Sequence, residues 1–458
     1  MRIKQISVSR LFGLFDHVVP MNLGERVTII HGPNGYGKTT VLRLLDGLAS
    51  GRYSDVRRIP FRDFEVNFDD GHVLQVLRID SARTPPGPQA GPILSFELRK
   101  GDKPGQKGSI SAITPESLGL PPEYVERIVS QLKRVGANQW REEQTGAVIG
   151  FEEVYRSYAK YLPIPPGVKA QDAFEPEWLR EFRGNLAVRF IESQRLLRVS
   201  KPSPDRQDFE PVQPAVTVYA RDLAKAVQLK FTEYATLSQS LDRSFPKRLV
   251  EQTLVPHKER PSVDKLKAIL QANENRRATL TQAGLLEREP ESFDLASYLS
   301  DQNLVDTVLP VYAADAEQKL RVFDDIAPKI ELLTSIVNAH FKFKEMSISK
   351  ERGFEFMTKY PGQSSKPRRL RVNDLSSGEQ HLLVLLYELL FTVKPNSLIM
   401  IDEPEISLHV AWQLEFLNDI QKITSLTGID VLLATHAPGI INERLKWAVG
   451  LEAPAEAQ

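Results

Sequence analysis

The residues best suited to chemistry fall in a few short runs. Gly32-Pro33-Asn34-Gly35-Tyr36-Gly37-Lys38-Thr39 spaces its glycines so that backbone N–H groups can converge on one anion, and ends in a lysine and a hydroxyl. Such a phosphate-binding loop (P-loop) uses free amides and the positive end of the following helix to cradle phosphates. Lys38 would reach the β- and γ-phosphates of a nucleotide, Thr39 would ligate Mg2+, and Asn34, Gly35, Gly37 and Thr40 would complete the cradle.

A second run, Ser397 to Pro404, carries an apolar stretch, Leu398-Ile399-Met400-Ile401, into Asp402 and Glu403. A buried strand of this kind delivers its last residues to the carboxyl edge of an open α/β sheet, where ligands bind. Asp402 would hold Mg2+ through water, and Glu403 would polarise an attacking water. Paired acids that merely cap the next helix are the blander alternative. A third run, Val431-Leu432-Leu433-Ala434, is again a buried strand and delivers Thr435 and His436, next to Pro438. A histidine there is either a contact to the γ-phosphate or a core residue. In the fourth, Leu375-Ser376-Ser377-Gly378-Glu379-Gln380, a small-residue turn opens the helix Gln380 to Phe391. Ser376 and Gly378 then offer a hydroxyl and free N–H groups to an anion. The chain's own P-loop already supplies phosphate donors, so the natural client is the γ-phosphate bound by a second copy. A plain helix N-cap is the competing reading.

The elements that must position these runs can be read from periodicity. Ile3 to about Ser50 reads strand, strand, P-loop, helix, with Val27 to Ile30 a buried strand and Thr39 to Leu48 helical. Strand patterns follow at Asp63 to Phe68, Val73 to Ile79 and Leu94 to Leu98. Thr84 to Pro92 and Lys100 to Gly108 are rich in proline and glycine and read as loops. Pro121 to Arg134 and Phe151 to Tyr161 have helical patterns, and Leu186 to Ile191 is a strand that ends at Glu192-Ser193-Gln194. Lys201 to Pro214, with four prolines, reads as a boundary. From Val216 to about His340 the chain is helix-rich, with Ala220, Leu223, Ala224, Val227, Phe231 and Ala235 on one apolar face. Pro246, Pro256, Pro261, Pro290, Pro310 and Pro328 are expected to break that region into modest helices. Phe343 to Ser349 and Phe354 to Thr358 form a hairpin around Glu351-Arg352-Gly353, and Glu452 to Gln458 is a frayed tail.

Composition bounds the class. The 458 residues allow two or three domains, and 41% hydrophobic with 26% charged residues is the balance of a globular protein. Lys+Arg and Asp+Glu are both 59, so no net charge draws the chain to nucleic acid or anionic membrane; a local patch would have to do so. Lys366, Arg368, Arg369 and Arg371 are such a run, read first as a solvated face and second as a contact to nucleic acid or to a partner's nucleotide. With no cysteine, disulfides, thiolate catalysis and Cys-ligated zinc are excluded. The absence of an apolar signal core and of any run long enough for a bilayer gives a cytoplasmic expectation, with no membrane partner.

Together the motifs resemble the RecF, Rad50 and SMC-like branch of ABC-type ATPases, and within it the OLD-like ATPases. The resemblance covers Met1 to about Asp80, Phe343 to His436 and the Gln194 segment. The run Asp402-Glu403-Pro404-Glu405-Ile406-Ser407-Leu408-His409 looks like the OLD form, with His409 where the SMC form has an aspartate, and Ser377 stands for the more usual glycine. What this implies is an α/β, ABC-type P-loop ATPase head with a mixed sheet, interrupted by a helical insertion between P-loop and signature motif. The expected organisation is 1–200 as the N-terminal ATPase part, 201–340 as the insertion and 341–458 as the C-terminal ATPase part. Gln194 takes the place of the glutamine that contacts Mg2+ and the attacking water, a surface glutamine being the blander alternative, and His436 that of the histidine on the γ-phosphate. Arg10, Phe12 and Phe15 flank adenine or simply pack in the core.

The resemblance further implies an ATP- and Mg2+-dependent ATPase that dimerises around nucleotide, as a homo-oligomer that is a dimer or a higher assembly of dimers. OLD proteins carry a Toprim nuclease on the same chain; here the implied effector is a separate Toprim or HNH nuclease, as in two-gene antiphage systems of the PARIS or Septu type. The alternative from another class is a RecF-type DNA-binding ATPase of DNA repair or recombination.

Overall fold

The computed structural model describes residues 1–80, 92–101, 104–112, 120–136, 139–143, 146–158, 175–199, 212–256, 261–287, 301, 303–359, 367–406, 408–441 and 444–452. The chain divides into two compact units. The first comprises Met1–Ser193, Val393–Ile406 and Gln413–Gln458; the second comprises Gln194–Thr392 and Ser407–Trp412.

The first unit is α/β, with parallel and antiparallel strands sorted into separate sheets. The parallel sheet is built from β3 (Val27–His31), β11 (Val188–Ile191), β17 (Leu398–Asp402), β18 (Asp430–Thr435) and β19 (Ala448–Gly450), in the order β11-β17-β18-β3-β19. Its central strands are buried along their whole length: all five residues of β17 and all six of β18. That is why they read as unbroken apolar runs rather than alternations, since a parallel sheet is covered on both faces. The register pairs Asp402 with Ala434 and Thr435 with His31, so the carboxyl ends of three adjacent strands finish level. At the opposite end of β18, the buried Asp430 is held by Arg2 at 2.5 Å and by Arg26 at 3.5 Å.

The antiparallel sheet runs β2-β1-β4-β5-β6-β7, from β1 (Ile3–Leu11), β2 (Phe15–Pro20), β4 (Asp63–Phe68), β5 (His72–Ile79), β6 (Ile93–Lys100) and β7 (Gln106–Ile110). Helix α1 (Lys38–Ser50) buries Val41, Leu42, Leu44, Leu45 and Leu48 in one core with residues from both sheets. Burial of each such side chain stabilises the fold by roughly 1.5–3 kcal/mol, so α1 and the loop that opens it are fixed on the sheet. Gly51, at φ 69, closes the helix with a left-handed cap.

A smaller core, with Trp140 at its centre, joins α3 (Pro122–Ile128), α4 (Phe151–Tyr158) and the sheet β10-β9-β8. Here the expected helix from Pro121 to Arg134 is corrected. It stops at Ile128, and Leu132 to Gly136 is strand β8, paired with β9 (Gln139–Glu142), which also pairs with β10 (Val148–Gly150). Burying Leu132 and Trp140 together overrides the helical spacing. The expected loop from Lys100 to Gly108 is also corrected in its second half, because Gln106 begins β7 and pairs with Leu98 across the hairpin.

The second unit is mainly helical. Its long helix α6 (Ala215–Thr253) has 39 residues and passes through Pro246. The expectation of modest helices broken at each proline therefore fails at this one. Proline removes an N–H and crowds the preceding turn, but side chains bind that turn together. The Leu241 carbonyl accepts from the Arg248 guanidinium at 2.6 Å and from the Ser244 hydroxyl at 3.1 Å. Arg248 in turn makes a two-pronged pair with the buried Asp315 of α8 (Leu309–Arg321).

The expected hairpin is present: β14 (Lys344–Ser349) pairs antiparallel with β15 (Gly353–Thr358), Ser349 opposite Gly353, and packs on α6. Gly353, at φ 71, lies so close to α6 that an added Cβ would sit 2.0 Å from the Ala220 carbonyl oxygen. Helix α9 (Ala327–His340) and helix α10 (Ser377–Phe391), which carries the signature run, also belong to this unit. Thr84 to Ala90, most of Lys201 to Pro214, Lys366 and the last residues of the tail lie outside the described residues. Among the described residues, no helix is long and apolar enough to cross a membrane.

Candidate functional site

In the first unit the P-loop follows β3 and opens α1. Gly35 and Gly37 stand at φ 88 and 85, left-handed conformations that glycine adopts without steric cost and that turn successive amides inward. A Cβ on Gly37 would come within 2.6 Å of the Leu11 side chain, so this position has neither conformational nor spatial room for another residue. The loop is braced from behind: the buried His17 donates from Nε2 to the Tyr36 carbonyl at 2.8 Å, and Phe15 packs on both the His17 and Tyr36 rings. Burial holds the His17 imidazole below its usual pKa, against the opposing pull of the Tyr36 carbonyl and Asp16. Phe15 is thus a brace for the loop. Phe12, 43% exposed, stands beside Gly37 and keeps a free face.

Lys38 is buried and its ammonium donates to the carbonyls of Gly32 at 2.7 Å and Pro33 at 3.1 Å, which places its charge over the mouth of the loop. The Thr39 hydroxyl donates to the Asp402 carboxylate, at 2.9 and 3.0 Å from its two oxygens. Burial raises the Asp402 carboxyl above the usual carboxylate range, and the nearby charges of Glu403 and Glu405 act in the same direction; Thr39 and Arg43 oppose them. A desolvated carboxylate beside a hydroxyl, facing a phosphate loop, is a hard-oxygen donor set that a divalent cation would neutralise. These residues fit a divalent cation such as Mg2+, which Thr39 and Asp402 would hold.

The chain turns sharply after Asp402. Glu403 adopts φ 44, a left-handed conformation that costs a non-glycine residue roughly 1–2 kcal/mol. Its N–H donates to the Ala434 carbonyl at 2.8 Å, and the Ile406 N–H closes the turn on the Glu403 carbonyl at 3.1 Å. The Glu403 side chain is half-exposed beside the His436 ring, with 3.9 Å between Oε1 and Nδ1. Strain of this kind, maintained by hydrogen bonds on both sides, is common where a side chain must be aimed.

Sequence reasoning passed over Glu405. It is buried, and its Oε1 accepts from the Thr435 hydroxyl at 2.7 Å and from the His436 backbone N–H at 3.1 Å. The same oxygen lies 3.2 Å from Nδ1 of His436. No spacing rule flags a glutamate three residues beyond a strand end; only the turn at Glu403 brings it back to β18. A cleft of about 590 Å3 opens beside these groups, lined by His31, Gly32, Pro33, Asn34 and His436 together with Pro438, Ile441 and Leu445.

Lys38, Thr39, Asp402, Glu403 and His436 are thus brought to one edge of the first unit. Asn34 and Gly35 are exposed, and Gly37 and Thr40 partly so. Gln194, Ser376 and Gly378 belong to the second unit. Gln194 is exposed, three residues beyond the end of β11. Ser376 is the N-cap of α10 and forms a capping box: its Oγ accepts from the Glu379 N–H at 3.4 Å, while the Glu379 carboxylate accepts from the Ser376 N–H at 2.8 Å. Glu379 is also paired with Lys344 at 2.6 Å. Of the basic run, Arg369 pairs with Glu355, and Arg371 with Asp374 at 3.1 Å, as expected of a solvated face.

A parallel α/β sheet, a phosphate loop between strand and helix, and a buried aspartate bonded to the loop's threonine make up the geometry of a P-loop nucleotide site. Residues 233–442 match the family model "AAA domain, putative AbiEii toxin, Type IV TA system". The matched segment includes Ser376, Gly378, Asp402, Glu403 and His436 and begins well after the P-loop. No curated protein matches the chain in sequence. Among solved structures, the chain is similar to the Smc head domain of Pyrococcus furiosus, with an extended coiled coil and bound to the C-terminal domain of ScpA. Identity there is 11% and the TM-score 0.34, over 99% of this chain and 94% of that one. It is likewise similar to the SMC head domain from Thermotoga maritima, at 10% identity and TM-score 0.31, over 98% of this chain and 94% of that one. At that level of similarity the fold rests on the chain's own topology.

Proposed function

We propose that the chain is an ATP-driven switch: it binds and hydrolyses ATP with Mg2+, dimerises around the nucleotide and controls a separate effector, a nuclease in our reading, in bacterial antiphage defence. The observation that carries the ATPase part is the Thr39–Asp402 hydrogen bond, which joins the P-loop to the acidic strand end beside Glu403 and His436. Bound Mg2+ would neutralise phosphate charge. Lys38 and the loop amides orient the phosphates, Glu403 takes a proton from the attacking water, and His436 contacts the γ-phosphate. Gln194 positions that water, and Ser376 and Gly378 of a second copy close over the γ-phosphate.

In this reading residues 1–200 and 341–458 form the ATPase and 201–340 an insertion. ATP contacts both copies only when they are closed, so it shifts the population toward the closed dimer, by as much as its affinities for the two states differ. The description of the family model matched by residues 233–442 names a putative toxin of a type IV TA system, which supports a role beside a partner. The OLD-like motif Asp402 to His409 supports the defence setting.

The test is to tag Glu403→Gln protein, express it with its native genomic neighbours, purify it in ATP and Mg2+, and identify what co-elutes. A stoichiometric nuclease supports the switch. Nucleic acid without a protein partner would replace it with a RecF-type DNA-binding ATPase, whose affinity for DNA would fall steeply with salt. Wild-type turnover in Glu403→Gln would remove the catalytic assignment.

A further inference from the structure

We propose that Glu405 is a positioning residue of this site, acting through His436 to set its preference for ATP over ADP. The inference rests on the nucleotide reading above and adds a residue to it. Four observations carry it. One oxygen of Glu405, Oε1, takes the Thr435 hydroxyl at 2.7 Å and the His436 N–H at 3.1 Å and stands 3.2 Å from the His436 ring nitrogen Nδ1. The side chain is 8% exposed, and its second oxygen is buried with no hydrogen-bond partner. A buried carboxylate with one oxygen unmet is costly, and a merely structural tie between two strand ends needs no charge. Finally, the strained turn at Glu403, φ 44, is what returns Glu405 to β18, so the turn that aims Glu403 also aims Glu405.

Glu405 thus fixes both the backbone and the ring of His436. Its negative charge faces Nδ1, which orients the imidazole and leaves the other ring nitrogen to a ligand. The group such a nitrogen meets is the terminal phosphate that ATP has and ADP lacks. Thr435 serves the same carboxylate, and its hydroxyl also accepts the Ala437 N–H at 3.0 Å, which extends the hold to the residue after His436.

The test compares dissociation constants for Mg-ATP and Mg-ADP, together with turnover and melting temperature, in wild type, Glu405→Gln, His436→Ala and the double variant. Glu405→Gln keeps the shape and an oxygen for Thr435 but removes the charge. Expected are a loss of roughly tenfold in ATP-over-ADP preference, an unchanged ADP constant, a melting temperature near that of wild type, and a double variant no worse than His436→Ala alone. Equal losses for ATP and ADP, or effects that add to those of His436→Ala, would overturn the proposal. Should Glu405→Gln fail to fold, Thr435→Val is the second probe; it must lower the same preference by a smaller factor, and no change in it would equally overturn the proposal. Wild-type protein that binds neither nucleotide would instead overturn the nucleotide reading, and this inference with it.

Discussion

The Thr39 hydroxyl and the Asp402 carboxylate meet at 2.9 Å, although 363 positions separate them in sequence. Every other part of the site is arranged around that contact: Thr39 is fixed by the helix that buries four leucines, and Asp402 by a strand with no exposed residue. Removing the hydroxyl leaves a buried carboxylate with one fewer donor. Thr39→Ala is therefore expected to weaken Mg-dependent nucleotide binding by tenfold or more, since a hydrogen bond to a charged group contributes about 1.5–3 kcal/mol. Thr39→Ser should retain it. Titration of a fluorescent nucleotide with and without Mg2+ measures both, and equal affinities in Thr39→Ala and wild type would count against a ligand role.

Glu403 combines strain with function. Glu403→Gly relieves the left-handed backbone and is expected to raise stability by about 1 kcal/mol, while turnover falls by a hundredfold or more for lack of a base. Calorimetry and a phosphate-release assay on one preparation read the two effects. A loss of stability would mean that the Glu403 side chain holds the turn.

Ser376 separates a cap from a ligand. Ser376→Ala should cost about 1 kcal/mol through loss of the N-cap, whereas Ser376→Asn, an equally good cap, should cost only a few tenths. If the hydroxyl also meets a phosphate of a second copy, both variants lose ATP-dependent dimerisation by light scattering. Dimerisation of Ser376→Asn at the wild-type level would leave Ser376 as a cap alone.

Gly353 is the position in the helical unit where backbone and packing agree most strictly. Gly353→Ala must hold φ 71 and move an oxygen 2.0 Å from its new methyl group. The expected loss is about 3 kcal/mol, from overpacking together with the strained backbone, visible as a lower urea midpoint at unchanged slope.

His381 gives the fold a pH dependence. Burial, with the charge of Arg195 adding to it, pushes its imidazole down to about 4. The unfolded chain takes up a proton near pH 6.5 that the native chain takes up only near pH 4. Stability is full above the higher of these values and falls as pH drops between them. Melting temperatures should decline from pH 7 to pH 4.5 more steeply in wild type than in His381→Asn; identical slopes would place the titration elsewhere.

Much of this was legible in the chain itself, for physical reasons. Asp402 ends a strand buried on both faces and His436 follows another, and such strands appear in sequence as apolar runs with polar residues at the end. The P-loop glycines stand where only glycine avoids strain. Three things stayed out of reach. Pro246 sits inside a helix because Ser244 and Arg248 of that helix tie the turn and Asp315 holds Arg248 from another helix, and no local pattern records a partner 67 residues away. Leu132 pairs as a strand because Trp140 needs cover. Glu405 joins the site through one left-handed residue, and the sign of φ at a glutamate leaves no trace in composition or spacing.

The long helix α6 has a mechanical consequence. At roughly 1.5 Å per residue, its 39 residues make a rod on the order of 60 Å long. A tilt of about five degrees at one end displaces the other by roughly 5 Å, close to the pitch of a helical turn. The braces at Pro246 keep that rod from folding at its weakest joint, so an angular change at Ala215, however small, would emerge at Thr253 as a step large enough for another surface to detect.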